Sequence, residues 1–232
     1  AGYYDLTNDS GTASLGGFRS SCTNNLIPAG GLLNAPDYTR SCTCSYQNQT
    51  SLALVHMPDA ETWAYGGIVD DKKRVAINFG APGDRRDSAG TIWVDYPSVG
   101  GKSPKPGIKT TPPTEDLLTF RVHSSLIDGP AGWICSSGVR DLRELEIETG
   151  NDKAVELRLY FCQPLGNPGS SFQITVNGKV VEQQFQIASV AGGVDRGIIK
   201  TYLVKPVDKR IKVELSGEST LLSGAEVVEL DE

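Results

Sequence analysis

From residue 74 to the end, the chain is a succession of short strand-like runs broken by turns. The runs fall at 75–79, 91–96, 117–123, 132–136, 142–149, 154–162, 171–176, 179–187, 198–205, 210–215 and 225–230. In one of them Val155, Leu157, Leu159 and Phe161 alternate with Glu156, Arg158 and Tyr160, so that run buries one face. Asn177-Gly178, between two apolar runs, is the residue pair of a type I′ hairpin, and Gly192-Gly193 marks another turn. About eleven short strands with this spacing predict an all-β chain, a jelly-roll-like β-sandwich of two sheets. The 26 Gly and 13 Pro among 232 residues act in the same direction, favouring turns over long helices. The Gly/Pro-rich stretch 97–113 has little strand or helix potential and is expected to be a long surface connection.

Residues 1–58 differ in composition, with no Lys and dense Ser, Thr, Asn and Gly. A strand at 3–6, a turn at 8–11, a strand-turn-strand at 26–33, an alternating run at 42–46 and a buried strand at 51–56 are expected. Repeated short hairpins of this kind predict an N-terminal β segment like the last blade of a propeller. Residues 59–73 read as a linker that Trp63 and Tyr65 dock onto a neighbouring domain. The sandwich then occupies 74–232.

The net charge of −6 argues against nucleic acid and anionic membrane as partners, because phosphate binding needs a basic face. No apolar run approaches the ~20 residues of a membrane span. Cysteines in a loop-rich acidic β protein indicate an oxidising, extracytoplasmic location: periplasm, cell surface or medium. Cys42 and Cys44 flank one residue and face the same way in a strand, so one of them pairs with Cys22. A zinc site of Cys22, Cys42, Cys44 and His56 fits less well, since thiolate sites favour two intervening residues. Cys135 and Cys162, both in strand-like runs, make a second candidate disulfide, with two buried thiols as the alternative. Asn8-Asp9-Ser10 and Asn48-Gln49-Thr50 match the glycosylation pattern.

Between the runs 75–79 and 91–96 lies a charged loop with Asp84, Arg85, Arg86 and Asp87, followed by Trp93, Asp95 and Tyr96. Sugar recognition needs aromatic faces and planar polar groups that fork across hydroxyls, and these seven residues supply both kinds. Alternation places Trp93 and Asp95 on one strand face and Tyr96 on the other, so a core Trp and a turn-capping Asp is the competing reading. Asp84, Asp87 and Asp95 are hard oxygen ligands for calcium, but Arg85 and Arg86 beside them are expected to neutralise the acids, so no metal is expected. Glu144, Glu146 and Glu148 alternate on what reads as a solvated face. Neither a nucleophile elbow, a zinc-protease pair, a phosphate loop nor a dinucleotide fingerprint is present, so neither a catalytic site nor a cofactor is expected in this chain.

The 74–232 region resembles the malectin and malectin-like β-sandwiches. The likeness rests on 75–80 followed by Gly90-Thr91 with Trp93 and Asp95, on 154–164, and on 172–178 with Phe185-Gln186-Ile187 and Ala191-Gly192-Gly193. Gln163, Gln173 and Gln186 stand where the family carries acids, and a serine at 170 or 171 stands where it carries an arginine. The segments 18–29, 31–46 and 49–54 resemble the end of a quinoprotein-like (PQQ-type) β-propeller of large secreted bacterial proteins. Together these resemblances imply a noncatalytic carbohydrate-binding module of a secreted or cell-surface multidomain protein. Its partners would be a glycan and the preceding propeller, in the same parent or in another chain. Two alternatives are a structural module capping a propeller and the C-terminal fragment of a quinoprotein-like enzyme.

Peptide mapping without reduction is expected to recover Cys22 linked to Cys42 or Cys44. Either bridge closes a loop of about twenty residues and stabilises by ~3 kcal/mol in the chain-entropy model.

Overall fold

Two sheets face each other in this computed structural model, which describes residues 2–4, 6, 9, 11–15, 25–36, 51–55, 62–66, 74–100 and 103–230. The five-stranded sheet runs in the order Ile108–Thr111, Glu144–Glu148, Arg210–Gly217, Phe172–Val176, Lys179–Phe185, with every neighbour antiparallel. The six-stranded sheet runs in the order Ile198–Val204, Val155–Phe161, Gly224–Glu229, Arg74–Phe79, Ile92–Tyr96, Arg85–Arg86. Within it Arg74–Phe79 and Ile92–Tyr96 are parallel, with Asn78 opposite Asp95.

The alternating apolar residues of both sheets meet in one core. Ile77, Phe79, Ile92, Val94, Leu157, Leu159 and Phe161 come from the six-stranded sheet, and Leu145, Ile147, Phe172, Ile174, Ile211 and Val213 from the other. Phe161 bridges the layers, packing on Phe185 at 4.8 Å and on Phe172 at 6.2 Å between ring centroids. A second, smaller core lies on the opposite face of the six-stranded sheet, where Ala76, Trp93 and Tyr160 meet Ile127, Ile134 and Cys135. The six-stranded sheet is therefore buried on both faces over its central strands.

That second core corrects the expectation for 132–136. Gly132–Cys135 is one helical turn rather than a strand, and it lies across the sheet with Ile134 and Cys135 turned inward. Strands also occur where none was expected, at Arg85–Arg86, Ile108–Thr111 and Ser137–Arg140. Ser137–Arg140 joins Leu118–Arg121 and Leu221–Leu222 in a small antiparallel sheet. The run 179–187 ends at Phe185, and Ile187–Ala191 is helical, stopped by Gly192 in the left-handed conformation. Asn177 and Gly178 both have positive φ, as a type I′ hairpin requires. Glu144, Glu146 and Glu148 do face solvent, where Lys212 and Arg210 on the adjacent strand pair with them.

Among the described residues before 74, two further three-stranded sheets form. Ile27–Ala29, Leu32–Ala35 and Leu52–Val55 make one. Leu52–Val55 is not the buried strand expected at 51–56: Val55 is 67% exposed. Gly2–Tyr4, Thr12–Ser14 and Ala64–Tyr65 make the other, so part of the stretch read as linker is itself a strand. Ala64 also exchanges two backbone hydrogen bonds with Asp84, tying this sheet to the sandwich.

Leu157, fully buried between the sheets, is the probe of this architecture. Leu157→Ala is expected to lower stability by about 2–5 kcal/mol in urea unfolding. Val180→Ala, on an exposed edge, is expected to change it by no more than about 0.5 kcal/mol.

Candidate functional site

Alternation along Val155–Phe161 sends Glu156, Arg158 and Tyr160 to the outer face of the six-stranded sheet. Register then aligns Arg158 with Glu226, and Glu226 with Ala76, across three neighbouring strands. Glu226 is only 2% exposed, and three groups hold it. Arg158 Nη1 lies 3.1 Å from Glu226 Oε2, Tyr160 Oη donates to the same oxygen at 2.9 Å, and Arg74 Nε is 3.5 Å from Oε1. Arg158 Nε donates to Glu156, and Arg74 Nη1 donates to Thr91 Oγ1. A polar band thus crosses the strands Val155–Phe161, Gly224–Glu229 and Arg74–Phe79 and ends at Thr91, with its arginines half-buried and planar. Burial, and then the charge of Glu226, push the Tyr160 hydroxyl well above the usual tyrosine range.

Beside the band stands an aromatic cluster. Trp93 packs edge-on against Tyr160 at 4.9 Å and against Trp133 at 5.9 Å, and Trp133 meets Trp63 at 5.9 Å. The Arg85 guanidinium sits 4.8 Å from the Trp133 ring and 5.5 Å from the Trp63 ring, a double cation–π contact. Trp63 and Trp133 are partly exposed, so the cluster has an accessible rim.

The seven residues singled out in the sequence do not form one exposed surface. Trp93, at 1% exposure, is a core residue whose indole N–H donates to Asp87 Oδ2 at 3.1 Å. Asp87 Oδ1 accepts from Ala89 N and Thr91 N, both at 2.9 Å, and so shapes the 87–91 turn. Arg86 donates to the carbonyls of Gly90 and Asp9. Tyr96 lies at the far end of its strand and on the inner face, its ring against Phe79 and its hydroxyl paired with Thr114 Oγ1. Asp84 and Asp95 are interior, at 0% and 2% exposure. Asp95 N donates to Asp84 Oδ1 at 3.1 Å, and Val99 N donates to Asp95 Oδ2 at 2.9 Å. Burial raises the Asp84 carboxyl to about 6; Ser103 and the Asp95 N–H lower it in part, and the Asp95 carboxyl raises it. Arg74, Glu156, Arg158, Tyr160 and Glu226 were not singled out in the sequence. Their signal was the polar half of an alternating strand and one acid, Glu226, set inside the apolar run 224–228.

Cys135 and Cys162 are free, buried thiols, which corrects the second candidate bridge. The helical turn at 132–135 directs Cys135 Sγ toward the Phe161 carbonyl, 3.6 Å away, rather than into a strand pair. Burial raises both thiols, Cys162 to about 12, so neither is a thiolate nucleophile at neutral pH. Cys22, Cys42, Cys44 and His56 lie outside the described residues.

A scan of protein-family models and a search of curated proteins both find no match. Solved structures do match. A β-glucuronidase of Bacteroides uniformis superposes with a TM-score of 0.54 at 16% identity, over 68% of this chain and 18% of that one. A calcium-binding mutant of β-glucuronidase 2 from the same organism gives 0.55 at 14% identity, over 86% and 22%. The extracellular domain of ANXUR2 from Arabidopsis thaliana gives 0.52 at 14% identity, over 68% and 48%. The fold is a β-sandwich of the malectin-like kind. At such identities the likeness extends to the fold alone, and the chain spans about a fifth of the glucuronidases and about half of the receptor ectodomain.

The raised Asp84 carboxyl has a stability consequence. Its folded value of about 6 exceeds the ordinary 3.8, so the folded state binds the proton more tightly than the unfolded chain. Stability contributed by protonated Asp84 is present below pH ~4 and is lost as the pH rises through ~6, to a total of roughly 3 kcal/mol. An asparagine at 84 keeps an acceptor for Asp95 N and offers an N–H to the Asp95 carboxylate. In metal-free buffer Asp84→Asn is therefore expected to raise the urea midpoint at pH 8 and to leave it unchanged at pH 4.

Proposed function

We propose that this chain is a noncatalytic binding module of an extracytoplasmic multidomain protein, and that its ligand is a glycan. The observation that carries the reading is the outer-face band. Arg74 and Arg158 are planar donors held in place by buried Glu226, and the partly exposed rings of Trp63 and Trp133 stand beside them. Sugar binding uses this pairing of fixed forks for hydroxyls with aromatic faces for C–H surfaces. Of the residues proposed from the sequence, Arg85 and Asp87 border this face. The fold is shared with a module of a glucuronidase and with receptor ectodomains, which accords with a recognition role outside the cytoplasm. No helix among the described residues is long and apolar enough to cross a membrane.

A second reading rests on a different observation. The sheet of Ile27–Ala29, Leu32–Ala35 and Leu52–Val55 leaves Ile27 49% and Val55 67% exposed. An apolar three-stranded sheet of this kind is expected to pack on a further domain. That is how a structural module joined to a propeller end would behave.

A glycan array probed with the chain tests both. Binding is expected, and Arg158→Lys, which keeps the charge but loses the planar fork, is expected to weaken it at least about tenfold with the circular dichroism unchanged. A wild-type chain that binds nothing on a broad array would sink the glycan reading and leave the structural one.

A further inference from the structure

Beneath the loops at the C-terminal end of the parallel strands lie two carboxylates with unmet needs. Asp84 uses Oδ1 to accept from Asp95 N, and Asp95 uses Oδ2 to accept from Val99 N. Their other oxygens, Asp84 Oδ2 and Asp95 Oδ1, are buried and have no hydrogen-bond partner. Two more polar atoms nearby are in the same condition. Ser103 Oγ lies close to the Asp84 carboxyl without a well-formed hydrogen bond. Asn78 Nδ2 is buried and unpartnered on the strand where Asn78 stands in register with Asp95, so the two side chains share a face.

Four buried polar atoms without partners, two of them on the neighbouring Asp84 and Asp95 carboxyls, are out of keeping with a dry interior. Buried polar groups are almost always satisfied, and buried charges are paired or hold a metal. The arginines adjacent in sequence do not supply the pairing. Arg85 stacks between Trp63 and Trp133, and Arg86 bonds to Gly90 and Asp9. Asp87 is likewise spent, on Ala89, Thr91 and Trp93. The groups that act on Asp84 are Ser103 and Asp95, with no cation among them.

We infer that Asp84 and Asp95 bind a divalent cation of the calcium class. Asp84 Oδ2 and Asp95 Oδ1 supply the charge, and Ser103 Oγ supplies a neutral oxygen. The Asn78 amide, turned over, would offer Oδ1 on the face it shares with Asp95 while Nδ2 donates to Ser137 Oγ, the group that now donates to Oδ1 at 3.1 Å. Among the described residues no three His, Cys, Asp or Glu side chains converge, so the remaining positions fall to neutral oxygens. Calcium accepts carbonyls, amides and waters in flexible numbers, which suits such a site better than the strict octahedron of magnesium. The cation would tie Asp84 to Asp95 and Ser103, independently of whether the outer face binds a glycan.

Thermal unfolding with calcium or with EDTA, together with terbium luminescence excited through tryptophan, tests the site. Calcium at 100-fold over its dissociation constant is expected to raise Tm by about 5–10 °C relative to EDTA. Terbium emission is expected to appear and to be displaced by calcium. Asp84→Asn and Ser103→Ala are expected to lose or weaken both responses, while Glu115→Gln, on an exposed turn, is expected to keep them. A wild-type chain with the same Tm in calcium and EDTA and no calcium-displaced emission would overturn the site and leave a shared proton between Asp84 and Asp95. Responses that survive Asp84→Asn undiminished would equally overturn it, by placing the ion elsewhere.

Discussion

The constraint on which the rest of this structure depends is that the six-stranded sheet is covered on its inner face throughout and, around Ala76, Trp93 and Tyr160, on its outer face as well. The inner face packs on the five-stranded sheet, and the outer face lies under Ile127, Trp133, Ile134 and Cys135. Parallel strand pairs are found in this setting, covered on both sides. Every polar residue on Arg74–Phe79, Ile92–Tyr96 and Gly224–Glu229 must then find its partner within the protein. Glu226 does so through Arg74, Arg158 and Tyr160, and Ser137 answers one end of Asn78. Asp84 and Asp95 are each answered on one oxygen only. The polar band and the acidic pair are two results of the same burial, one complete and one half complete.

Much of the sandwich was legible because period-2 alternation survives wherever one face is core. Val155 to Phe161 shows this well: each residue expected inward is fully buried. The hairpin at Asn177-Gly178 was legible for a local reason, since only residues tolerant of positive φ fit there. The helical turn Gly132–Cys135 was not. Trp133, Ile134 and Cys135 are apolar in succession, and a run that short does not distinguish a strand from a turn of helix lying on a sheet. Arg85–Arg86 was hidden because its pairing with Ile92 and Trp93 is tertiary and its side chains are charged.

The charged loop was legible in its residue types and not in its geometry, and the outer-face band was not singled out at all. Asp84, Trp93 and Asp95 read as contact residues because polar and aromatic side chains share one loop and strand. Their burial depends on what covers the outer face, and the covering residues lie some forty positions downstream. The fold likewise separates Tyr96 from Asp87, because a strand five residues long puts its ends about 13 Å apart. Arg158 and Glu226 are far apart in the sequence and meet only through the register of neighbouring strands.

The two backbone hydrogen bonds between Ala64 and Asp84 bear on where the sandwich begins. Composition and pattern place its start at Arg74, where the first long strand opens. Yet Ala64 completes the backbone pairing of Asp84, and Trp63 covers Arg85 and the rim of Trp133. A polypeptide started at Arg74 would leave the buried amide and carbonyl of Asp84 to water and uncover the aromatic rim. Trp63 and Ala64 thus pack with the sandwich, upstream of the first long strand.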